Sequence, residues 1–401
     1  MTTTPHLLRE RSGDGHARVT FVELFFDLVF VFAVTQLSHL LLHSLTPAGA
    51  QQTLLLLLAV WWVWIFTSWV TNWLDPEATA VRLMLFGLML GGLILAAAIP
   101  QAYEARGLWF ALAYVAMQLG RTLFMLWVLR RDNPGNFRNF LRITIWLVLS
   151  ALFWLAGGIA EGNARFWLWA TAMAIEFVSP SLGFWVPGMG RSASAEWDIA
   201  GGHIAERCGL FVIIALGESV LMTGATFAEL EHWSARDLTG FLVGFVGSIA
   251  MWWIYFNIGA ERASRLIASS TDPGRLARLA YTYTHVVLVA GIIVSAASDE
   301  IILKHQTDRP DLAATLVVIG GPGLFIAGCL LFKWTTAGWP PPSHMAGLAL
   351  LAVLFFAAPA LPVLLLGAAA SAVLVLVAAW EARSLRAGSG DSARHASAAA
   401  E

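Results

Sequence analysis

Residues 20–42, TFVELFFDLVFVFAVTQLSHLLL, decide the fold. At 1.5 Å per residue the run is long enough to cross a bilayer, yet Glu23 and Asp27 sit inside it, where each charge costs roughly 2.5–3.5 kcal/mol on insertion scales. A second run, residues 203–224, HIAERCGLFVIIALGESVLMTG, has the same character and carries His203, Glu206, Arg207 and Glu218. Charges kept at that cost in apolar spans turn toward one another or toward a wet cavity. The two stretches therefore announce an all-α polytopic membrane protein with an internal polar site.

Composition points the same way. Of 401 residues, 58% are hydrophobic and only 12% charged, against about a quarter charged in a soluble domain. A net charge of −2 and the lack of a basic patch interleaved with aromatics exclude a nucleic-acid partner. The lipid bilayer is the expected partner, an ion or small solute the expected ligand, and self-association stays open. Cys208 and Cys329 both fall in apolar runs and read as helix-packing residues, not as a disulfide framework.

Residues 1–18 are polar, and the apolar run after them exceeds a cleaved signal peptide and lacks its small-residue cleavage site; it reads as a retained first helix behind a short tail. Further apolar segments fall near 52–73, 80–100, 107–129, 141–160, 165–186, 203–224, 238–258, 279–298, 311–333, 344–358 and 361–381, about twelve helices in all. In the last pair, Pro359 and Pro362 of APALP mark either a tight turn or a kink. With the N-terminus in the cytoplasm, only Arg106, Arg165, Arg236, Lys304 and Arg309 fall outside, and an even helix count returns the C-terminus to the same side. The small, polar stretch after Arg383 predicts disorder.

The two halves echo each other. FDLVFVFAVTQL at 26–37 aligns with CGLFVIIALGES at 208–219, VWWVWIF at 60–66 with MWWIYF at 251–256, and LGGLILAAAI at 90–99 with VAGIIVSAAS at 289–298. Three matches in one order predict two six-helix repeats, in parallel orientation because six is even. The expected organisation is a tail at 1–18, halves at 19–190 and 191–383, and a tail at 384–401.

VELFFDLVFVFAVTQLSHLL at 22–41, TNWLDPE at 71–77, QLGRTLF at 118–124, HIAERCGLFVIIALGES at 203–219 and AGIIVSAASDE at 290–300 together resemble the bacterial low temperature requirement protein A family. The likeness runs from about residue 16 to 380. It implies a multi-pass protein of a bacterial inner membrane, without a defined biochemical activity. A fainter likeness is mechanistic: Phe25-Phe26-Asp27 is similar to the Phe-Ser-Asp signature opening the first helix of potassium channels built from six-helix repeats. Phe26 replaces the serine, and the second half offers Arg207-Cys208-Gly209 instead, departures that count against carrying potassium conduction over.

The charged positions supply the candidate site. Glu23 and Asp27 are one turn apart on one face of the first helix, placed to share a proton or a cation, or to bind arginines of neighbouring helices. His203, Arg207 and Glu218 form a stripe at helical spacing, with Glu206 about 100° around. His203, Glu206 and Arg207 begin level with Glu23 and Asp27, so the spacing predicts a charge-matched cluster. Glu218, deeper in the span, is the leading residue for a proton or cation. Arg121 is expected to neutralise Asp27 or Glu23, or to hold an anion. Gln36, His39, Asn72, Asp75, Gln118, Glu176, His285 and Asp299 are secondary polar points, individually read as interhelical contacts.

No HExxH, paired CxxC, P-loop or GxSxG occurs, and His203-x-x-Glu206 lacks the second such motif that a di-metal bundle site requires, so no metal or cofactor is expected and an enzyme is disfavoured. The tryptophans read as belt and packing residues. The favoured function is a secondary transporter or ion/proton pathway with a buried polar site between the halves. The alternatives are a membrane-embedded enzyme or lipid-handling protein using the cluster of Glu23, Asp27, His203, Glu206 and Arg207, and a structural protein for membranes in the cold.

Overall fold

The computed structural model describes residues 7–9, 19–192, 201–257 and 273–398. Among them run α1 (Phe21–His43), α2 (Pro47–Thr71), α3 (Thr79–Ala98), α4 (Gly107–Asp132), α5 (Pro134–Ile159) and α6 (Gly162–Val178), followed by α7 (Gly201–Ala228), α8 (Ala235–Phe256), α9 (Gly274–Lys304), α10 (Leu312–Ala337), α11 (Pro342–Ala357) and α12 (Val363–Ala398). Eleven are long and apolar enough to cross a membrane, α11 when taken with the turn that extends it to Ala360; α6, with 17 residues, falls short. The molecule is a multi-pass helical membrane protein, the architecture in which every backbone group is satisfied inside its own span.

The helices start where the sequence supplies caps. Thr46 accepts from the Gly49 amide ahead of Pro47, Asn133 from the Asn136 amide ahead of Pro134, and Asp311 from the Ala314 amide. At APALP the chain makes a 3₁₀ turn over Ala358–Ala360 before α12 opens at Val363, so the last apolar stretch is two helices. Past Arg383 the helix continues to Ala398 where a disordered tail is expected; alanine, the strongest helix former, recurs through that stretch. Side chains beyond Ser384 lie outside the described residues, as do the expected tail 1–18 apart from 7–9, residues 258–272, and residues 193–200 beside the expected boundary at 190/191.

The chain forms two compact units, Met1–Ile214 with Ser270–Arg278, and Ala215–Ser269 with Leu279–Glu401. In the first, α1 packs on α2 and α3, α3 on α4, α4 on α5 and α5 on α6, while α2 also meets α4 and α6. Its interior is aromatic: Trp61, Trp62, Trp64, Trp154 and Trp169 are fully buried. In the second, α8 packs on α9, α10 and α12, α9 on α10, α10 on α11 and α12, and α11 on α12. The α9–α10 seam is closest. A Cβ on Gly291 would lie 2.3 Å from the Phe325 nitrogen and one on Gly328 2.5 Å from the Leu288 nitrogen, so the two backbones touch across glycines. Phe21, Leu83, Trp109, Val353 and Phe356 stand exposed, a surface suited to lipid tails.

Candidate functional site

Glu23 is held by its own helix start before it meets anything else. Thr20, at the N-cap of α1, donates its backbone N–H to Glu23 Oε2 at 2.9 Å, the return half of a capping box. Arg9 adds a second clamp, donating to the same oxygen at 3.0 Å while its Nε reaches the Thr71 and Leu74 carbonyls. The other oxygen, Oε1, lies 2.8 Å from His203 Nε2 on α7. Asn72 Nδ2 is 3.3 Å from His203 Nδ1; with the amide donating there, Nε2 carries the ring proton and donates to Glu23.

One turn along both helices the pattern repeats with stronger charges. Asp27 Oδ1 accepts from Arg207 Nη2 at 2.8 Å and from Trp64 Nε1 at 2.7 Å. Ser68, one turn beyond Trp64 on α2, takes the Arg207 Nε and Nη2 protons at 3.3 and 3.2 Å. The guanidinium also lies over the rings of Phe26 and Trp64, 5.9 and 5.7 Å from their centroids. Trp64 and Phe211, with centroids 4.3 Å apart, close the wall. Glu23, Asp27, His203 and Arg207 are all fully buried.

The i,i+4 spacing of 23 and 27 on α1 and of 203 and 207 on α7 thus makes a ladder of two acid–base rungs, lined from α2 by Trp64, Ser68 and Asn72. All these residues belong to the first unit, which takes α7 as far as Ile214. Burying an ion pair costs several kcal/mol in desolvation per ion and is recovered only when the remaining valences are filled. Here they are not: Asp27 Oδ2 and Arg207 Nη1 are buried with no hydrogen-bond partner among the described residues.

The remaining predicted positions divide. Glu206 is exposed and, among the described residues, accepts the Val19 amide at 3.3 Å, so it stands outside the ladder. Arg121 neutralises neither Asp27 nor Glu23. It donates to the Val63 carbonyl and Thr67 Oγ1 of α2 at 3.1 and 3.0 Å and to Gln118, because its position on α4 puts it against a neighbouring turn of α2. Gln118, Tyr114, Ser150 and Trp154 surround Glu176, each donating to it. Glu218 is buried within the second unit's share of α7. Asp75 caps a turn by accepting the Glu77 amide, and Gln36 and His39 are half-buried on α1. His285 spans a π-helical stretch of α9, Nδ1 against the Ala280 carbonyl and Nε2 against the Tyr255 hydroxyl. Asp299 accepts hydroxyls of Ser219 and Thr223.

Trp64, Ser68 and Arg9 escaped the sequence reading. A tryptophan inside an apolar run has the signature of packing, and its indole N–H has a visible purpose only once Asp27 is placed beside it. Arg9 lies in a polar tail whose contact with Glu23 depends on the chain folding back at Trp73 and Leu74.

Comparison with known proteins supplies a family and no chemistry. The family described as bacterial low temperature requirement A protein (LtrA) matches residues 18–379. An uncharacterized protein of Rhizobium meliloti (strain 1021) is 41% identical over 377 residues, covering 94% of this chain and 91% of that protein. No solved structure matches.

Proposed function

The chain belongs to the bacterial low temperature requirement A family, and we propose that it is a secondary transporter or ion/proton pathway whose polar site is the Glu23–His203 and Asp27–Arg207 ladder. The observation that carries this reading is the pair of unfilled valences. One carboxylate oxygen of Asp27 and one guanidinium nitrogen of Arg207 are buried inside membrane-spanning helices with nothing among the described residues to bond. A purely structural ion pair is expected to saturate both partners, since a buried unsatisfied polar group costs about 1–3 kcal/mol. A site that takes up and releases a small polar species keeps such positions open.

Two further observations favour the same reading. Shifting helix numbers by six maps the pairings α2–α4, α2–α6, α3–α4, α4–α5 and α5–α6 of the first unit onto α8–α10, α8–α12, α9–α10, α10–α11 and α11–α12 of the second. That correspondence supports a duplicated six-helix unit, a frequent plan of secondary transporters. The concentration of arginine on one side of the spans supports insertion in the inner membrane with both termini cytoplasmic. In this reading Asp27 and Arg207 bind the transported species, Glu218 carries the coupled proton or cation, and the lipid bilayer and a small ion or solute are the partners.

The test is flux. Purified protein in liposomes should move protons, alkali cations or a small solute faster than protein-free vesicles under an imposed gradient. Asp27→Asn and Glu218→Gln should abolish that flux while both variants still fold by circular dichroism and gel filtration at the assay temperature, Asp27→Asn with a lowered Tm. Flux that survives both substitutions sinks the assignment, and lipid that co-purifies at the ladder without any flux favours lipid handling instead.

A further inference from the structure

The second unit holds a polar centre that the ladder does not use. Asp299, on α9, accepts from Ser219 Oγ at 3.0 Å and from Thr223 Oγ1 at 3.1 Å, both bonds falling on Oδ2. Thr223 has one proton, and its shorter bond, 2.8 Å, goes to the Ser219 carbonyl, so its share in Asp299 is partial. Oδ1 accepts no hydrogen bond among the described residues. Ser248 of α8 stands 3.1 Å from Ser219. Two glycines make room: a Cβ on Gly244 would lie 3.0 Å from Asp299 Cγ and Oδ1, and one on Gly247 3.1 Å from Ser371 Oγ.

Around this carboxylate lies a small cavity of about 20 Å³, lined by Ser248, Ser295, Ser298, Asp299 and Ser371 together with Val318 and Pro322. A single water-sized species fits such a space. Two independent features mark it as built to hold one. Ser295, 5% exposed, has a hydroxyl with no hydrogen-bond partner among the described residues. Pro322, in the interior of α10, has no N–H to give the Val318 carbonyl one turn earlier, so that carbonyl loses its usual helical donor at a residue that lines the same space.

One carboxylate, several hydroxyls and the Val318 carbonyl form a hard, all-oxygen donor set with a single negative charge. It offers neither the imidazole or thiolate that transition metals favour nor the second carboxylate that calcium usually takes. We propose that Asp299 is the centre of a binding site for one dehydrated monovalent cation of sodium size, with Ser295 and the Val318 carbonyl among its ligands. The site lies wholly within the second unit and stands whether or not the ladder of the first unit transports anything. The cavity's size sets the preference: sodium is accommodated and potassium, being larger, binds more weakly.

The experiment measures thermal unfolding and ²²Na⁺ binding of the full-length protein in detergent, with NaCl, KCl or choline chloride at equal ionic strength. Sodium well above its dissociation constant should raise Tm by about 2–4 °C over choline, with potassium giving less, and one ²²Na⁺ should bind per chain. Asp299→Asn, which keeps the shape and removes the charge, should abolish both effects. Should Asp299→Asn fail to fold, Ser295→Ala is the second variant and should weaken sodium binding about tenfold. Equal Tm in sodium and choline, or sodium binding untouched by the variant that folds, overturns the proposal. A pH-dependent Tm that Asp299→Asn abolishes, without a sodium effect, overturns it in favour of a proton site.

Discussion

Arg121 and Glu176, both buried in the first unit, are joined through one amide. Gln118 accepts from Arg121 with its oxygen and donates to Glu176 Oε2 at 2.8 Å with its nitrogen. No direct bridge is needed, because the amide dipole presents a partial charge of the right sign to each ion. Gln118→Leu keeps the bulk and removes both bonds, leaving two buried charges short of a partner. It should cost about 2–4 kcal/mol, seen as a lowered Tm in detergent; Gln118→Glu should behave differently, restoring a partner for Arg121 while opposing Glu176.

The Asp27–Arg207 rung predicts strong non-additivity. Replacing Asp27 by Asn, or Arg207 by Gln, strands the other charge away from water, a loss of about 3–5 kcal/mol for either single change. The double variant removes both charges and should cost clearly less than the two singles added. A double-mutant cycle on unfolding free energy measures the difference, and an additive result would mean the 2.8 Å contact does not couple the two residues.

Trp64 separates packing from hydrogen bonding. Trp64→Phe retains an aromatic wall against Phe211 but withdraws the donor that reaches Asp27 at 2.7 Å. A hydrogen bond to a charged group contributes about 1.5–3 kcal/mol, so the variant should lose about that much stability. Its flux, if the ladder is the transport site, should change far more than that of Trp62→Phe, since Trp62 stacks on Phe177 instead, with centroids 4.1 Å apart.

The helices were legible because an apolar run of bilayer length has few alternatives, and α1 and α7 came through with their charges in register. Periodicity alone aligned 23 with 27 and 203 with 207, since i and i+4 share a face whatever the helix packs against. Partner choice was less accessible. The sequence points Arg121 toward Asp27 or Glu23, or toward an anion, yet carbonyl and hydroxyl oxygens of α2 hold it, and an apolar run does not announce that Val63 and Thr67 turn toward α4. Glu206 differs from Arg207 by one residue and 100° of rotation, which suffices to put the one in the open and the other in the interior.

Glycine supplies the last prediction, because α10 carries its own control. Gly328 abuts the backbone of Leu288, where a Cβ would sit 2.5 Å from the amide nitrogen, whereas a Cβ on Gly320 of the same helix meets nothing within 4 Å. Adding one methyl at 320 should raise stability by about 0.5–1 kcal/mol, since alanine restricts the unfolded chain more than glycine and favours the helix. The same methyl at 328 must push α9 and α10 apart, disturbing the seam that positions Ser295 and Asp299 on one side and Val318 and Pro322 on the other. Gly328→Ala should therefore lower Tm and weaken any sodium dependence, while Gly320→Ala leaves that dependence intact. If both variants melt alike, the close approach of the two backbones does not hold the seam together.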